Sequence, residues 1–282
     1  MSTGAVIFAQ NNKNVDYVKL AIYCAERIKQ YLEIPVSIIT DSTNWLLDSY
    51  PNHPFDQIIS VNYYELSQNK RFYDSTLSSK VLEWKNFSRC QVYNLTPYDN
   101  TLVVDSDFII NSSILKKAFN RESNFQIYKQ GFDLAGWRST LEFERINQFS
   151  IPFYWATVIF FRKSELVESV FNLVSYIKDN WEYFRVLYNI DTALYRNDYA
   201  FSIAIHIMNG KTNGQFVSEL PGKMTYILDR DILVEHKNES MCFLVEKQDY
   251  LGEYIAVKTT GIDVHAMNKF SLLRLIDGGT GV

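Results

Sequence analysis

Two acidic pairs of the form Asp-x-Asp follow apolar runs: Asp105-Ser-Asp107 after residues 101–104 (TLVV), and Asp229-Arg-Asp231 after residues 226–228 (YIL). Two carboxylates one residue apart at a strand end can both reach a divalent cation. Mg²⁺ and Mn²⁺ are hard ions that prefer oxygen ligands and usually keep diphosphate oxygens in their shell. Such an ion neutralises charge that develops on a leaving diphosphate. The bland alternative for either pair is a solvated turn capping a strand. Asp105/Asp107 is preferred because it closes a strand after the N-terminal α/β units, at the carboxyl edge where open sheets bind ligands. Its middle residue is a small serine, whereas Arg230 sets a competing cation between Asp229 and Asp231. The second pair reads as a turn.

The elements that must position the first pair are visible around it. Residues 5–9 (AVIFA) read as a strand. Val18, Ala21, Ile22, Ala25, Ile28 and Leu32 recur at helical spacing, and Pro35 ends that helix. Residues 36–40 (VSIIT) make a second strand closing on Asp41, and residues 56–61 a third. This alternation predicts a mostly parallel sheet with right-handed crossovers. A helix is expected over 77–93, a buried strand over 101–104 and another strand over 154–161. Helices follow near 164–188 and 198–208, and the tail from about 215 to 275 reads as β-rich. No internal repeat, low-complexity segment or Pro/Gly linker divides the chain.

Lys plus Arg number 28 against 32 Asp plus Glu, a net charge of −4. That balance argues against a general nucleic-acid coat protein, which needs a positive field to replace counterions. Three distant cysteines, Cys24, Cys90 and Cys242, have no metal-site spacing and suit a reduced compartment. With no basic leader and no apolar run of membrane length, the expectation is a cytoplasmic protein without a membrane partner. Aromatic residues at 15% supply a large aromatic core, with a few left to stack on a base or sugar ring.

In the order of its motifs the chain resembles the GT-A-fold glycosyltransferases, most closely the glycogenin-like family 8, over roughly residues 5–210 with a looser echo near 265. The resemblance implies an α/β, Rossmann-like, mostly parallel sheet flanked by helices, with a β-rich C-terminal part. It implies a single domain over residues 1–282, about 1–115 binding a nucleotide sugar and about 116–282 serving the acceptor. It also implies a nucleoside-diphosphate-sugar donor and Mn²⁺ or Mg²⁺. Phe8, Ala9, Asn12 and Tyr17 match the loop and helix start that hold nucleobase and ribose; ordinary helix packing is the alternative for Tyr17. Asp41 is a base or ribose contact, or a turn cap. Lys80, followed by Trp84, matches a helix-start lysine on the donor diphosphate, where a mobile ammonium offsets phosphate charge; a surface lysine is the alternative.

Asp105, Ser106 and Asp107 carry the acidic motif, with both aspartates as metal ligands and Asp105 and Ser106 also on the donor. The family's Asn-Ser-Gly segment is replaced by Tyr154-Trp155-Ala156-Thr157-Val158, which puts Trp155, Ala156 and Thr157 at the donor sugar. Asp198 keeps the carboxylate of an Asp-Gln pair that faces the scissile bond but loses the glutamine; a helix N-cap is its alternative. His265 matches a third metal ligand and Lys269 a donor contact; a packed imidazole is the alternative for His265. Residues 72–79 (FYDSTLSS) and 153–156 (FYWA) also resemble glycosyltransferase-like proteins of tailed bacteriophages, which makes a modified DNA base, a protein or a glycan the acceptor.

The resemblance is to a retaining family, and Glu142 and Glu144 are the acids best placed to act as a base instead. A non-catalytic GT-A-like binding module is the second reading: the replaced Asn-Ser-Gly segment and the lost glutamine support it, and Asp105, Asp107 and Lys80 oppose it. A nucleotidyltransferase comes third, because residues 10–14 (QNNKN) contain no glycine. On this reading Asp107→Asn leaves folding nearly intact, and Asp231→Asn is a silent control.

Overall fold

The structure is a computed structural model and describes residues 1–62, 67–136, 138, 143–147, 151–212, 214, 216–248 and 251–278. Strand β1 (Thr3–Ala9) leads into α1 (Tyr17–Leu32), whose N-cap Asp16 accepts from Lys19 N at 3.0 Å. The helix ends on Glu33 in the left-handed region, just before Pro35. Then come β2 (Val36–Thr40), α2 (Thr43–Ser49) and β3 (Gln57–Ser60). A hairpin of β4 (Gln68–Tyr73) and β5 (Ser79–Trp84) precedes a 3-10 turn (Phe87–Gln91) and α3 (Val92–Leu95). After β6 (Asn100–Asp105) come β7 (Phe108–Ile109), β8 (Phe125–Tyr128), β9 (Gly131–Asp133) and β10 (Trp155–Arg162). Helices α4 (Glu165–Asp179), α5 (Trp181–Leu187) and α6 (Asn197–Met208) follow. The C-terminal part holds β11 (Met224–Ile227), β12 (Ile232–Lys237), β13 (Ser240–Glu246), β14 (Tyr254–Thr260), β15 (Val264–Ala266) and α7 (Lys269–Asp277).

The main sheet has the order β3-β2-β1-β6-β10-β8. Its first four strands are parallel, and β10 runs antiparallel to both β6 and β8. The expected α/β class, mostly parallel sheet and β-rich C-terminal part are all present. Both faces of this sheet are covered, as a parallel sheet requires. Along β1 the side chains alternate: Ala5, Ile7 and Ala9 pack with Ala21, Ala25 and Ile28 of α1. Val6 joins Val103 in a second core with Val170 and Phe171 of α4 and Phe201 of α6. A smaller sheet, β7-β15-β11-β9, and an antiparallel β12-β13-β14 sheet complete the C-terminal part.

The helix expected over 77–93 is not formed. Residues 79–84 are instead the second strand of the hairpin, paired as Gln68↔Trp84, Lys70↔Leu82 and Phe72↔Lys80. Directly opposed residues share a face, so Gln68, Lys70, Phe72, Lys80, Leu82 and Trp84 lie together. An isolated hairpin is marginal in water, and this one is tied down at its tip. Arg274 of α7 donates to both Asp74 oxygens at 2.6 and 2.7 Å, and the Thr76 amide donates to Tyr254 Oη at 3.1 Å. The tertiary contacts outweigh the local helical pattern.

Candidate active site

Strands β1, β2 and β6 are parallel, so their carboxyl ends share one edge, and Gln10, Asp41 and Asp105 stand there. A cavity of about 150 Å³ opens at this edge. Phe8, Tyr17, Asp105, Ser106, Asp107, Trp155, Thr157, Asp198, His265 and Lys269 all line it. Ten of the residues singled out in the sequence therefore meet at one place, across both halves of the chain.

The remaining five do not line it. Ala9 is in the core against α1. Asn12 stitches its own loop: its Oδ1 accepts from the amides of Asn14 and Val15, and its Nδ2 donates to the Glu83 carbonyl at 2.7 Å. Asp41 stands behind the wall, where it takes a 2.8 Å ion pair from Lys85, a lining residue. Ala156 acts through its backbone, donating to Asp198 Oδ1 at 2.9 Å and accepting from Arg89. Lys80 corrects the sequence reading: with no helix beneath it, it is exposed near the hairpin tip, above the Phe270 ring, and does not line the cavity.

Long-range pairing assembles the acidic group. In the small sheet His265 lies opposite Phe108, and the Ala266 amide donates to the Asp107 carbonyl at 2.9 Å. One ligand atom from each of Asp105, Asp107 and His265 lies within 4.8 Å of the others. The ring is oriented, with Nε2 at 3.4 Å from Asp107 Oδ2 and Nδ1 at 3.5 Å from Thr157 Oγ1. Two carboxylates and an imidazole whose far nitrogen has a polar partner fit a divalent ion such as Mn²⁺ or Mg²⁺.

Both carboxylates already face cations. Arg89 pairs with Asp105, and Lys269 Nζ lies 2.6 Å from Asp107 Oδ2. Burial alone raises the Asp107 pKa, but Lys269 and His265 outweigh it and hold the carboxyl well below its ordinary range. Burial likewise opposes the charge on Lys269, and Asp107 more than restores it. The backbone under Lys269 is rigid: buried Asn268 caps α7 by accepting from Ser271 N at 2.9 Å and donates to the Asp231 carbonyl at 2.8 Å.

Asp198 stands in the first turn of α6, not at its N-cap, which is Arg196. One oxygen accepts from the Ala156 amide and the other pairs with Arg196 at 2.9 Å. Tyr17 is pushed up to about 12, chiefly by burial, with Lys269 and Asp107 as its charged neighbours.

Several lining residues escaped the sequence reading: Gln10, Lys70, Phe72, Lys85, Arg89 and Arg196; Asp229, whose pair reads as a turn in the sequence, also lines the cavity. The turn chemistry of Asp74-Ser75-Thr76 was the one local signal for the hairpin that carries Lys70, since residues 68–72 (QNKRF) and 80–84 (KVLEW) show no apolar–polar alternation. The Lys70 ammonium faces the rings of Phe72 and Trp84, 5.3 and 4.7 Å from their centroids. Burial first, then Lys269 and Arg196, lower its pKa to about 8. No hydrogen bond or ion pair joins it to another described residue.

Asp229 was set aside because of Arg230, but that guanidinium turns away, 4.9 Å from the Tyr73 ring centroid. Asp231 is no solvated turn residue: it is fully buried and paired with Arg138. Glu144 is exposed and away from the cavity, and Glu142 lies outside the described residues.

Fold and site thus define an α/β protein with a cation-lined cleft and an acidic group at the carboxyl edge of its parallel strands. No protein-family model matches the chain, and no curated protein matches it in sequence. Among solved structures it is similar to the glycosyltransferase GlyE of Streptococcus pneumoniae TIGR4, at 10% identity and a TM-score of 0.43, over 78% of this chain. It spans about half, 45%, of the length of that protein. It is similar to the galactosyltransferase LgtC solved with donor and acceptor sugar analogs, at 12% identity and a TM-score of 0.45, over 77% of this chain and 73% of that one. It is also similar to mouse xyloside xylosyltransferase 1, at 9% identity and a TM-score of 0.44, over 78% of this chain and 85% of that one. All three scores are below 0.5, and the chemistry of the site rests on its own residues. Among the described residues no helix is long and apolar enough to cross a membrane.

Proposed function

We propose that this protein, as one GT-A-like domain, transfers a sugar from a nucleoside-diphosphate-sugar donor to a hydroxyl of a modified DNA base, a protein or a glycan. The observation that carries this reading is the concentration of uncommitted hydrogen-bond donors around the acidic group. Gln10 Nε2, Tyr17 Oη, Arg89 Nε and Trp155 Nε1 are buried with no hydrogen-bond partner among the described residues, and all four residues line the cavity. The Lys70 ammonium adds a cation that no anion among the described residues pairs with. Buried donors without partners are rare in folded proteins and call for a ligand. A diphosphate sugar, rich in acceptors and negatively charged, suits this set.

Asp105, Asp107 and His265 would hold a divalent ion, which would supply charge neutralisation at the leaving diphosphate. Lys70 and Lys269 take phosphate oxygens as mobile point charges. Phe8, Tyr17 and Ser106 form the donor wall. Asp198, fixed by Ala156 N and Arg196, faces the electron-poor sugar carbon. Transfer proceeds with retention, the acceptor approaching on the leaving-group side. NMR assignment of the product linkage checks this: an α-linked donor giving a β-linked product rejects it.

The reading is tested by thermal shift with UDP-glucose, UDP-galactose, UDP-xylose and GDP-mannose, with and without Mn²⁺. One donor is expected to raise the melting temperature in step with saturation, and only with Mn²⁺. Lys70→Met should weaken that binding about 10–100-fold, the worth of a charged hydrogen bond, while Lys80→Met leaves it unchanged. No shift with any donor rejects the reading. Binding without turnover moves the protein to a non-catalytic module. The Arg89–Asp105 and Lys269–Asp107 pairs favour that second reading, since each carboxylate already has a counter-cation.

A further inference from the structure

Among the described residues four carboxylates line the cavity, and three are committed. Asp105 is paired with Arg89, Asp107 with Lys269, and Asp198 with Arg196. Asp229 is the exception: it is half-buried, yet no hydrogen bond or ion pair joins it to another described residue. We propose that Asp229 is the acceptor-side catalytic residue, which receives first the hydrogen bond and then the proton of the acceptor hydroxyl. The proposal rests on the glycosyl-transfer reading above.

The turn that carries Asp229 is rigid. Asp231 Oδ2 accepts from the Leu228 amide at 2.8 Å, and the Asp231 amide donates to the Leu228 carbonyl at 3.1 Å. Arg138 and Asn268 clamp the same turn from outside it. A carboxylate presented this way is preorganised for a substrate, because its scaffold makes the structural bonds and leaves its oxygens unengaged. Its position also separates it from Asp198. The charged groups of other elements that act on Asp229 are Lys70 of β4 and Lys269 of α7; on its own turn Arg230, directed at Tyr73, and Asp231, paired with Arg138, act on it more weakly. Asp198 faces Arg196 and Arg89 instead. Asp229 therefore stands on the wall of the proposed phosphate ligands, the leaving-group side from which an acceptor attacks with retention.

In the step itself the acceptor O–H proton passes to the Asp229 carboxylate as the new bond forms from that oxygen to the anomeric carbon. The bond from this carbon to the diphosphate oxygen breaks, and its electron pair leaves with the diphosphate. Burial raises the proton affinity of Asp229, while Lys70, Lys269 and Arg230 lower it and Asp231 raises it. A donor phosphate that neutralises Lys70 and Lys269 removes part of this lowering. The carboxylate then becomes a stronger base only once the donor is in place.

The test uses whichever nucleotide sugar of the panel binds, with Mn²⁺ and with water as acceptor. Asp229→Asn is isosteric and should keep the melting temperature and the donor affinity. It should lower the rate of donor hydrolysis about 10²–10⁴-fold, the usual contribution of a general base, and remove the acid limb of the pH–rate profile. Asp229→Glu should recover part of the rate. Hydrolysis by Asp229→Asn at the wild-type rate with an unchanged profile overturns the proposal. So does a loss confined to donor affinity, which would make Asp229 a donor ligand, or donor binding with no hydrolysis by the wild type. Failure of the wild type to bind any donor removes the glycosyl-transfer reading instead, so the two failures are distinguishable.

Discussion

Asp107→Asn should reduce turnover by about 10³-fold and, against the sequence expectation, should also destabilise the protein. The rate loss follows from weakening the proposed divalent site, whose charge stabilisation would be worth several kcal/mol, each 1.36 kcal/mol being tenfold. The stability loss follows from burial. Asp107 has 4% of its surface exposed, and Lys269, whose ammonium is 2.6 Å away, has only 12% of its side chain exposed. Removing one member of a buried pair leaves the other charge uncompensated, at a cost of roughly 3–5 kcal/mol. Lys269→Met in the same protein removes the stranded charge and should recover most of the stability without recovering turnover. Denaturant titration and a donor-hydrolysis assay on the single and double variants read both effects. A fully stable Asp107→Asn protein would show that Lys269 finds another partner.

Asp231→Asn should be the most damaging of the conservative changes to stability, and it cannot serve as a silent control. Asp231 Oδ1 accepts from Arg138 Nη1 at 2.8 Å and from the Glu246 amide at 3.0 Å. Its Oδ2 accepts from Arg138 Nη2 at 2.8 Å and from the Leu228 amide at 2.8 Å. An asparagine must turn its NH₂ toward one of these pairs, setting donor against donor in a fully buried site. The cost is roughly 3–5 kcal/mol, a large share of the 5–15 kcal/mol that typically stabilises a domain. Because the turn also carries Asp229 and binds Asn268, any folded fraction should show a lower kcat. Unfolding by denaturant at the wild-type midpoint would show that the cluster is dispensable.

The pieces legible in the sequence were those whose signal is local. The first strand–helix–strand unit repeats its apolar residues at the periods of its own elements, and Pro35 marks its break. Asp105-Ser-Asp107 was readable because a buried run ends directly on it. His265 and Lys269 were found through the order of motifs along the chain, and the structure brings both beside Asp107.

What the tertiary structure alone decided was which charges face one another. Residues 79–84 have enough helical character to be read as a helix, but pairing with β4 and anchoring of the tip by Arg274 and Tyr254 make them a strand. This takes Lys80 out of the cavity and puts Lys70 in. Nothing local distinguishes Asp229 from Asp231. They part because Arg138 and two backbone amides converge on Asp231, while Arg230 swings to Tyr73 and leaves Asp229 facing the cleft. The pairing of Lys269 with Asp107 joins residues 162 positions apart, and it decides whether that carboxylate behaves as an exposed ligand or as half of a buried ion pair. Period and local chemistry specify elements from short stretches of chain; the partner of a charge is set by the whole packing, because electrostatic energy depends on distance and burial rather than on sequence separation.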